Sequence, residues 1–198
     1  MKDIIIHCRK LDEWDEDTQA KIIEKHRLIE VEWDGWSDFV IEDWQDKLNK
    51  MGFFEPKIAY TGFWSQGDGA SFTCDNIFVQ DYIKYFKLKQ FYPILRRLRE
   101  GNLEIFAYIH RYNNHYYHEK STSVNFNWSY LGLGKYKTKM EEQLEALEEH
   151  MDKTVIELGK EIYKDLENEY EDRVSDDTVR EVLIANEYEL DEEGKIWE

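Results

Sequence analysis

Residues 103–130 read LEIFAYIHRYNNHYYHEKSTSVNFNWSY, and this stretch decides the class of fold. Apolar and polar residues alternate in IFAYIHRY (105–112) and again in SVNFNWSY (123–130), which is the period of a strand with one buried face. Asn113 and Asn114 lie between the two runs and suit a tight turn. We therefore predict an antiparallel hairpin built from strands at 103–112 and 116–130.

A second hairpin is predicted upstream, where residues 60–73 read YTGFWSQGDGASFT. Strands at 57–63 and 70–74 flank a loop in which Gly67 and Gly69 supply positive φ angles and Asp68 can bond back to the backbone. Aromatic residues border the glycines, so the loop is interpreted first as a turn. A binding site at the same loop is the open alternative.

Helical periodicity surrounds the two hairpins. In residues 139–171 apolar residues recur every three or four positions, and a helix of this length would span about 50 Å. Either the sheet or a second copy of the chain, in a homodimer through this helix, must cover its apolar stripe. The other predicted elements are a strand at 3–8, helices at 15–29 (capped by Asp15 or Asp17), 37–51 and 76–101 (one or two helices), a helix capped by Ser175, and a terminal hairpin of 188–190 with 195–197.

These elements predict an α+β fold: an antiparallel β-meander packed with N-terminal helices, followed by a long acidic helix and a short terminal hairpin. We expect a core domain at residues 1–135 and an acidic helical extension at 136–198. With 198 residues, the chain is long enough for one well-buried core.

Charge is distributed unevenly along the chain. Of a net charge of −17, residues 136–198 contribute −14, from 8 Lys+Arg against 22 Asp+Glu. Direct nucleic-acid binding needs a positive surface and is not expected. An acidic surface instead favours a partner protein with a basic surface.

The remaining composition indicates a cytoplasmic protein without membrane segments. Cys8 and Cys74 are far apart and outside any CxxC spacing, which is typical of reduced thiols. The sequence contains no apolar run near the roughly 20 residues that a membrane-spanning helix needs.

The run GFWSQGDGASF (62–72) follows two acidic, Trp-rich predicted helices and precedes SDDTVREVLIANEYELDEEGKI (175–196). This arrangement resembles a family of small hypothetical proteins common in phage and prophage genomes, over nearly the whole chain. The resemblance implies a phage accessory gene product, and it supplies no catalytic residue.

The first functional hypothesis is an inhibitor of a host defence system, such as a CRISPR effector or a restriction enzyme. Its acidic surface would occupy a basic nucleic-acid channel by charge complementarity. The candidate partner-binding residues are the acids Glu141, Glu145, Glu148, Glu149, Asp152, Asp172, Asp176 and Asp177.

The second hypothesis is a sponge that sequesters a nucleotide immune signal. The loop would offer backbone N–H groups to a phosphate and a ring to a base, and basic side chains would neutralise charge. The candidate ligand-binding residues are Trp64, Ser65, Gln66, Gly67, Asp68, Gly69, Arg96 and Arg97, with Lys84 as a further cation.

A hydrolase is the third and least supported hypothesis. Ser65, Asp68, Asp75, His110, His115 and His118 are the residue types that it would use. The sequence contains no GxSxG, P-loop or HExxH motif, and the histidine spacing matches no compact metal site. We therefore predict no catalytic residue, no metal and no cofactor.

Overall fold

The computed structural model describes residues 7–33, 35–112, 116–130 and 137–197, with the backbone alone for Lys137. The fold is α+β, as predicted, with small antiparallel strand pairs, a long helix in the C-terminal third and a terminal hairpin. The predicted turn at Asn113 and Asn114 and residues 3–6 of the predicted first strand lie outside the described residues. No helix in the described part of the chain is long and apolar enough to cross a bilayer.

Two helices begin at the N-caps that the sequence predicts. Asp15 accepts a hydrogen bond from the backbone N–H of Thr18 at 3.0 Å, and Ser175 accepts one from Thr178 at 3.2 Å. The helices are α1 (Glu16–Lys25), α2 (Asp38–Lys50), α3 (Val79–Tyr85), α4 (Tyr92–Arg99), α5 (Lys137–Arg173) and α6 (Asp176–Ala185), with 3₁₀ turns at Leu11–Glu13, Lys89–Phe91 and Glu119–Ser121.

The strands form antiparallel pairs. They are β1 (Phe53–Phe54), β2 (Lys57–Thr61), β3 (Gly69–Thr73), β4 (Asn76–Ile77), β5 (Leu103–Arg111), β6 (Thr122–Tyr130), β7 (Glu189–Leu190) and β8 (Ile196–Trp197). β1 pairs with β4, β2 with β3, β5 with β6 and β7 with β8. A bridge between Cys74 and Ile109 joins the first predicted hairpin to the second.

Several predicted boundaries were wrong. The helix predicted at 15–29 ends at Lys25. The strand predicted from residue 116 begins at Thr122, because His118 starts a 3₁₀ turn in which its Nδ1 accepts a hydrogen bond from the Lys120 N–H. The segment predicted as helical from residue 76 contains β4 and then two short helices. Between them Lys87 has a φ of 54°, and Pro93 lies in the first turn of α4, where a missing N–H is tolerated.

By its internal contacts the chain forms two compact units. The larger unit is Phe39–Asp165, and the smaller unit combines Met1–Asp38 with Leu166–Glu198. The sequence-based division into residues 1–135 and 136–198 cuts the chain at one point, and that point lies inside the larger unit.

In the larger unit, α5 lies against the sheet. Its apolar stripe is buried within the chain itself. Asp152 of α5 accepts a hydrogen bond from the Val124 N–H at 2.8 Å, and Trp44 of α2 donates to Asp165 at 2.9 Å. The buried stripe residues of this unit are Met140, Leu144, Leu147, Met151, Val155, Leu158 and Ile162.

The smaller unit has a core of its own, drawn from both ends of the chain. Arg9 and Leu190 exchange backbone hydrogen bonds at 2.9 Å, and Arg173 forms ion pairs with Glu30 and Glu169. Its buried apolar residues are Leu11, Ile22, Ile23, Val179, Leu183 and Leu190.

The two cysteines are free thiols in different surroundings, and we expect them to differ in reactivity. Cys74 is buried, and burial raises the pKa of its thiol to about 12, whereas Cys8 is half-buried. Since the thiolate is the reactive form, a disulfide reagent at about pH 8 should modify Cys8 in the native chain and both thiols after unfolding. A Cys8→Ser variant should then show no fast native reaction. Fast modification of that variant would mean that the junction of β3 and β5 opens readily.

Candidate functional site

The SQGDG loop is a closed turn between β2 and β3. The Ser65 N–H donates to the Asp68 carboxylate at 2.6 Å, and the Asp68 N–H donates to the Ser65 carbonyl at 3.1 Å. Trp64 and Gly67 both have positive φ angles, of 70° and 95°. The loop therefore already uses two of the N–H groups that the nucleotide hypothesis would offer to a phosphate.

An open pocket of about 570 Å³ lies beside this turn. Two loop glycines come very close to the segment that precedes β6: a Cβ on Gly67 would lie 2.8 Å from the Tyr116 ring, and one on Gly69 would lie 2.6 Å from the His118 Cα. Gly67 therefore has a second role besides its positive φ. The positive φ predicted for Gly69 was wrong, because Gly69 begins β3, and the close approach of His118 is what requires a glycine there. Sequence reasoning missed both contacts. The pocket is lined by Gln66, Gly67, Asp68, Tyr116, His118, Glu119 and Lys120.

The charges of the pocket do not favour a phosphate. Asp68 and Glu119 are carboxylates, against Lys120 as the cation of the lining. The cations predicted to assist are engaged elsewhere: Arg96 and Arg97 of α4 form ion pairs with Glu100 at 3.7 and 3.5 Å, and Lys84 pairs with Asp81 at 3.0 Å. The pocket lining contains none of these three.

A polar cluster containing Arg111 connects β3, β5 and the 3₁₀ turn before β6. Arg111 donates to the Ser71 hydroxyl at 3.1 Å and stacks over the Tyr117 ring at 4.5 Å. The Ser71 and Ser121 hydroxyls lie 3.3 Å apart, and Ser121 donates to the His118 carbonyl at 2.7 Å. Burial lowers the pKa of Arg111. Both serines are 1% exposed, which makes them structural partners and poor nucleophiles.

The residues of the hydrolase hypothesis are only partly brought together. Asp68 and His118 share the pocket, but His118 already accepts a hydrogen bond at Nδ1. His110 contacts the Asn125 amide at 3.1 Å, and exposed Asp75 pairs with Lys57 at 3.9 Å. His115 lies outside the described residues. Within the described ranges no group of three or more His, Cys, Asp or Glu side chains is arranged to hold a metal ion.

The eight candidate acids are divided between the two units, and at least four of them have side-chain partners inside the chain. In the larger unit Asp152 bonds to β6, Glu141 accepts from the Tyr130 hydroxyl at 2.8 Å, and Glu149 pairs with Lys153 at 2.7 Å. Burial, with Asp152 and Glu145 nearby, raises the pKa of Glu148. Glu145 is exposed on the same helix.

The other three candidate acids belong to the smaller unit. Asp176 pairs with Arg27 at 2.8 Å, whereas Asp172 and Asp177 are exposed at the end of α5 and the start of α6. The first turn of α6 also favours carboxylates through the helix dipole.

Net charge differs sharply between the two units. The smaller unit carries 24 Asp+Glu against 9 Lys+Arg, a net of −15. The larger unit carries 19 against 17, a net of −2. Sequence reasoning assigned the acidity to the last third of the chain, since it had no means of seeing that residues 1–38 join the C-terminal segment.

The hairpin β5–β6 exposes one face to solvent, which we call the outward face. Its register places Phe106 opposite Asn127 and Tyr108 opposite Asn125. The other face is buried through residues such as Ala107, Ile109 and Phe126. The outward face consists of Glu104, Phe106, Tyr108, His110, Tyr112, Ser123, Asn125, Asn127 and Ser129, each exposed or half-buried.

Comparison with known proteins gives a family and no function. A family model described as Domain of unknown function (DUF8835) matches residues 36–176. No curated protein and no solved structure matches the chain.

Proposed function

The chain belongs to the DUF8835 family, and we propose that it is a binding protein whose acidic smaller unit docks on a basic surface of a partner protein. The surface that it would occupy is one that normally holds nucleic acid. More specifically, we propose that the chain is a phage accessory protein that inhibits a CRISPR effector or a restriction enzyme. The proposed phage origin rests on the resemblance of the GFWSQGDGASF region to phage proteins.

The observation that carries the proposal is the separation of charge. A net of −15 within Met1–Asp38 and Leu166–Glu198, beside −2 in the larger unit, gives the molecule one strongly negative part. Such a field attracts a basic surface and speeds association, and salt screens it over about 10 Å at 0.1 M.

Within the candidate acids, the exposed carboxylates of the smaller unit suit docking better than those of the larger unit. Asp152 and Glu141 bond to β6, so removing them would disturb contacts between α5 and that strand, and Glu149 pairs with Lys153 on α5. Asp172 and Asp177 are exposed. We therefore assign the docking role first to Asp172 and Asp177.

The test is displacement of labelled DNA from a panel of purified CRISPR effector nucleases and restriction endonucleases. The chain is expected to displace DNA from at least one of them. A double variant, Asp172→Lys with Asp177→Lys, should weaken displacement by about tenfold or more, because it places cations against a basic surface. Thermal unfolding of the variant checks that the fold survives the reversal at the start of α6.

The matched control reverses two exposed acids of α5 that lie inside the larger unit and outside the candidate set, Glu142→Lys with Glu161→Lys. This variant changes net charge equally and should retain most of the potency. Equal loss in both variants would indicate a response to total charge and not to the smaller unit. Failure to displace DNA from any enzyme of the panel would overturn the proposal.

A further inference from the structure

The outward face has a composition that strand stability does not explain. Charged residues make up 35% of the chain, yet the nine residues of β6 include none. Its outward positions are Ser123, Asn125, Asn127 and Ser129. Asn is depleted in strands, and solvent-facing strand positions commonly carry β-branched residues. A row of amides and hydroxyls at every second position therefore calls for another reason.

Aromatic rings run along the neighbouring strand at the same spacing. Ring centroids lie 5.5 Å apart for Phe106 and Tyr108, 6.0 Å for Tyr108 and His110, and 6.3 Å for His110 and Tyr112. Phe106 is 56% exposed and Tyr112 is 63% exposed. The outward face thus presents a row of rings beside a parallel row of hydrogen-bonding groups.

The dimensions of this face fit an extended ligand one chain wide. Nine residues at about 3.4 Å each give a length near 31 Å, and two strands about 4.8 Å apart give a width near 10 Å. The resulting area, roughly 300 Å², is well below the roughly 800 Å² per partner of a stable protein interface. A globular partner or a second copy of the chain would need more surface than the face provides.

The charge of the outward face and the groups that it offers distinguish among the classes of extended ligand that could bind there. Nucleic-acid strands are held by Lys and Arg at their phosphates, whereas the charged member of the outward face is the acid Glu104. An extended peptide binds through backbone hydrogen bonds at a sheet edge, and here side chains of a sheet face are offered. The class of extended ligand that fits the outward face is therefore an uncharged polymer with apolar faces and many hydroxyl groups.

We propose that the outward face binds a linear oligosaccharide of neutral sugars. The apolar faces of successive sugar rings stack on Phe106 and Tyr108, while sugar hydroxyls exchange hydrogen bonds with the amides of Asn125 and Asn127, which both donate and accept. This inference concerns the larger unit and does not depend on docking by the smaller unit.

The first experiment titrates the whole chain with β-linked gluco-oligosaccharides and chito-oligosaccharides, from dimer to hexamer, by calorimetry and amide NMR. We expect binding that strengthens with oligomer length, together with shifts of the Asn125 and Asn127 side-chain amides. Single-stranded DNA, titrated in the same way, should leave these signals in place. Absence of length-dependent binding in both sugar series, or shifts with DNA alone, would overturn the proposal.

Single substitutions then locate the site. Phe106→Ala and Tyr108→Ala should each raise the dissociation constant by about fivefold or more, since each removes one stacking ring. Tyr92→Ala removes a Tyr ring of α4 that is 47% exposed and lies off the outward face, and it should leave the affinity unchanged. Equal affinity in all three variants would contradict the assignment of the site.

Discussion

Gly159→Val is expected to lower the free energy of unfolding by about 2 kcal/mol, because the cost of overpacking exceeds the few tenths of a kcal/mol gained from the higher helix propensity of Val. A Cβ at Gly159 would lie 2.9 Å from the Ala70 carbonyl oxygen and 2.9 Å from the Glu119 Cβ. The first neighbour is backbone of β3, which cannot swing aside as a flexible side chain could. The helix must therefore withdraw from the sheet or strain the strand.

The measurement is urea unfolding followed by circular dichroism, with the midpoint compared at constant slope. Ala146→Val is the matched control, because it places the same side chain at an exposed position of α5 and should cost about 0.5 kcal/mol. Wild-type stability of Gly159→Val would mean that α5 does not approach β3 as closely as the structure has it.

Tyr82→Ala is expected to have the other large effect, a loss of about 3–5 kcal/mol. The Tyr82 side chain is fully buried, with its ring 5.8 Å from Phe53 and 4.7 Å from Phe86. Its hydroxyl donates to Thr154 at 2.8 Å and lies 2.8 Å from Nδ1 of His150. Thr154 in turn donates to the His150 carbonyl, so the network is complete when Nδ1 of His150 carries a proton and donates to the Tyr82 hydroxyl.

Tyr82→Phe separates the ring from the hydroxyl, and it should cost about 1–2 kcal/mol because two half-buried partners, His150 and Thr154, each lose a hydrogen bond. Equal effects of the Ala and Phe variants would contradict the packing role of the ring.

The free energy of unfolding of the wild-type chain should also depend on pH through His150, because burial lowers the pKa of its ring below the ordinary 6.5. The unfolded chain then binds the proton more tightly, so stability should fall as the pH drops below about 6.5.

Local patterns predicted much of the secondary structure. The apolar stripe of α5 predicted a helix at 139–171, and the structure has Lys137–Arg173. Alternation predicted the strands of β5 and β6, and short polar side chains predicted the caps at Asp15 and Ser175. These features depend on residues a few positions apart, so a single sequence contains the information.

Features that depend on distant segments were not predictable in this way. Nothing in the local pattern around Leu11 or Leu190 indicates that the two share a core. Because they do, the acidic residues of the N-terminal segment belong to the same unit as those of the C-terminal segment. Likewise, the sequence predicted a turn at Gly67 and Gly69, but the room that these glycines leave for Tyr116 and His118 depends on a contact across about fifty residues.

The outward face was visible in the sequence only as alternation. Sequence analysis considered His110 only as a candidate residue of the hydrolase hypothesis. The register adds that Phe106 and Tyr108 stand opposite Asn127 and Asn125, which turns an ordinary strand pattern into two matched rows. The identity of the outward residues, rather than their spacing, was the signal that could have identified this surface.

The ionic-strength dependence of DNA displacement is the most informative single measurement for the acidic unit. It would be recorded from about 50 to about 200 mM salt, a range over which screening of exposed charges changes strongly. We predict that the potency of the wild-type chain falls steeply with salt and that the dependence is flatter for Asp172→Lys with Asp177→Lys. Potency that is independent of salt, or identical curves for the two proteins, would contradict docking through the acidic smaller unit.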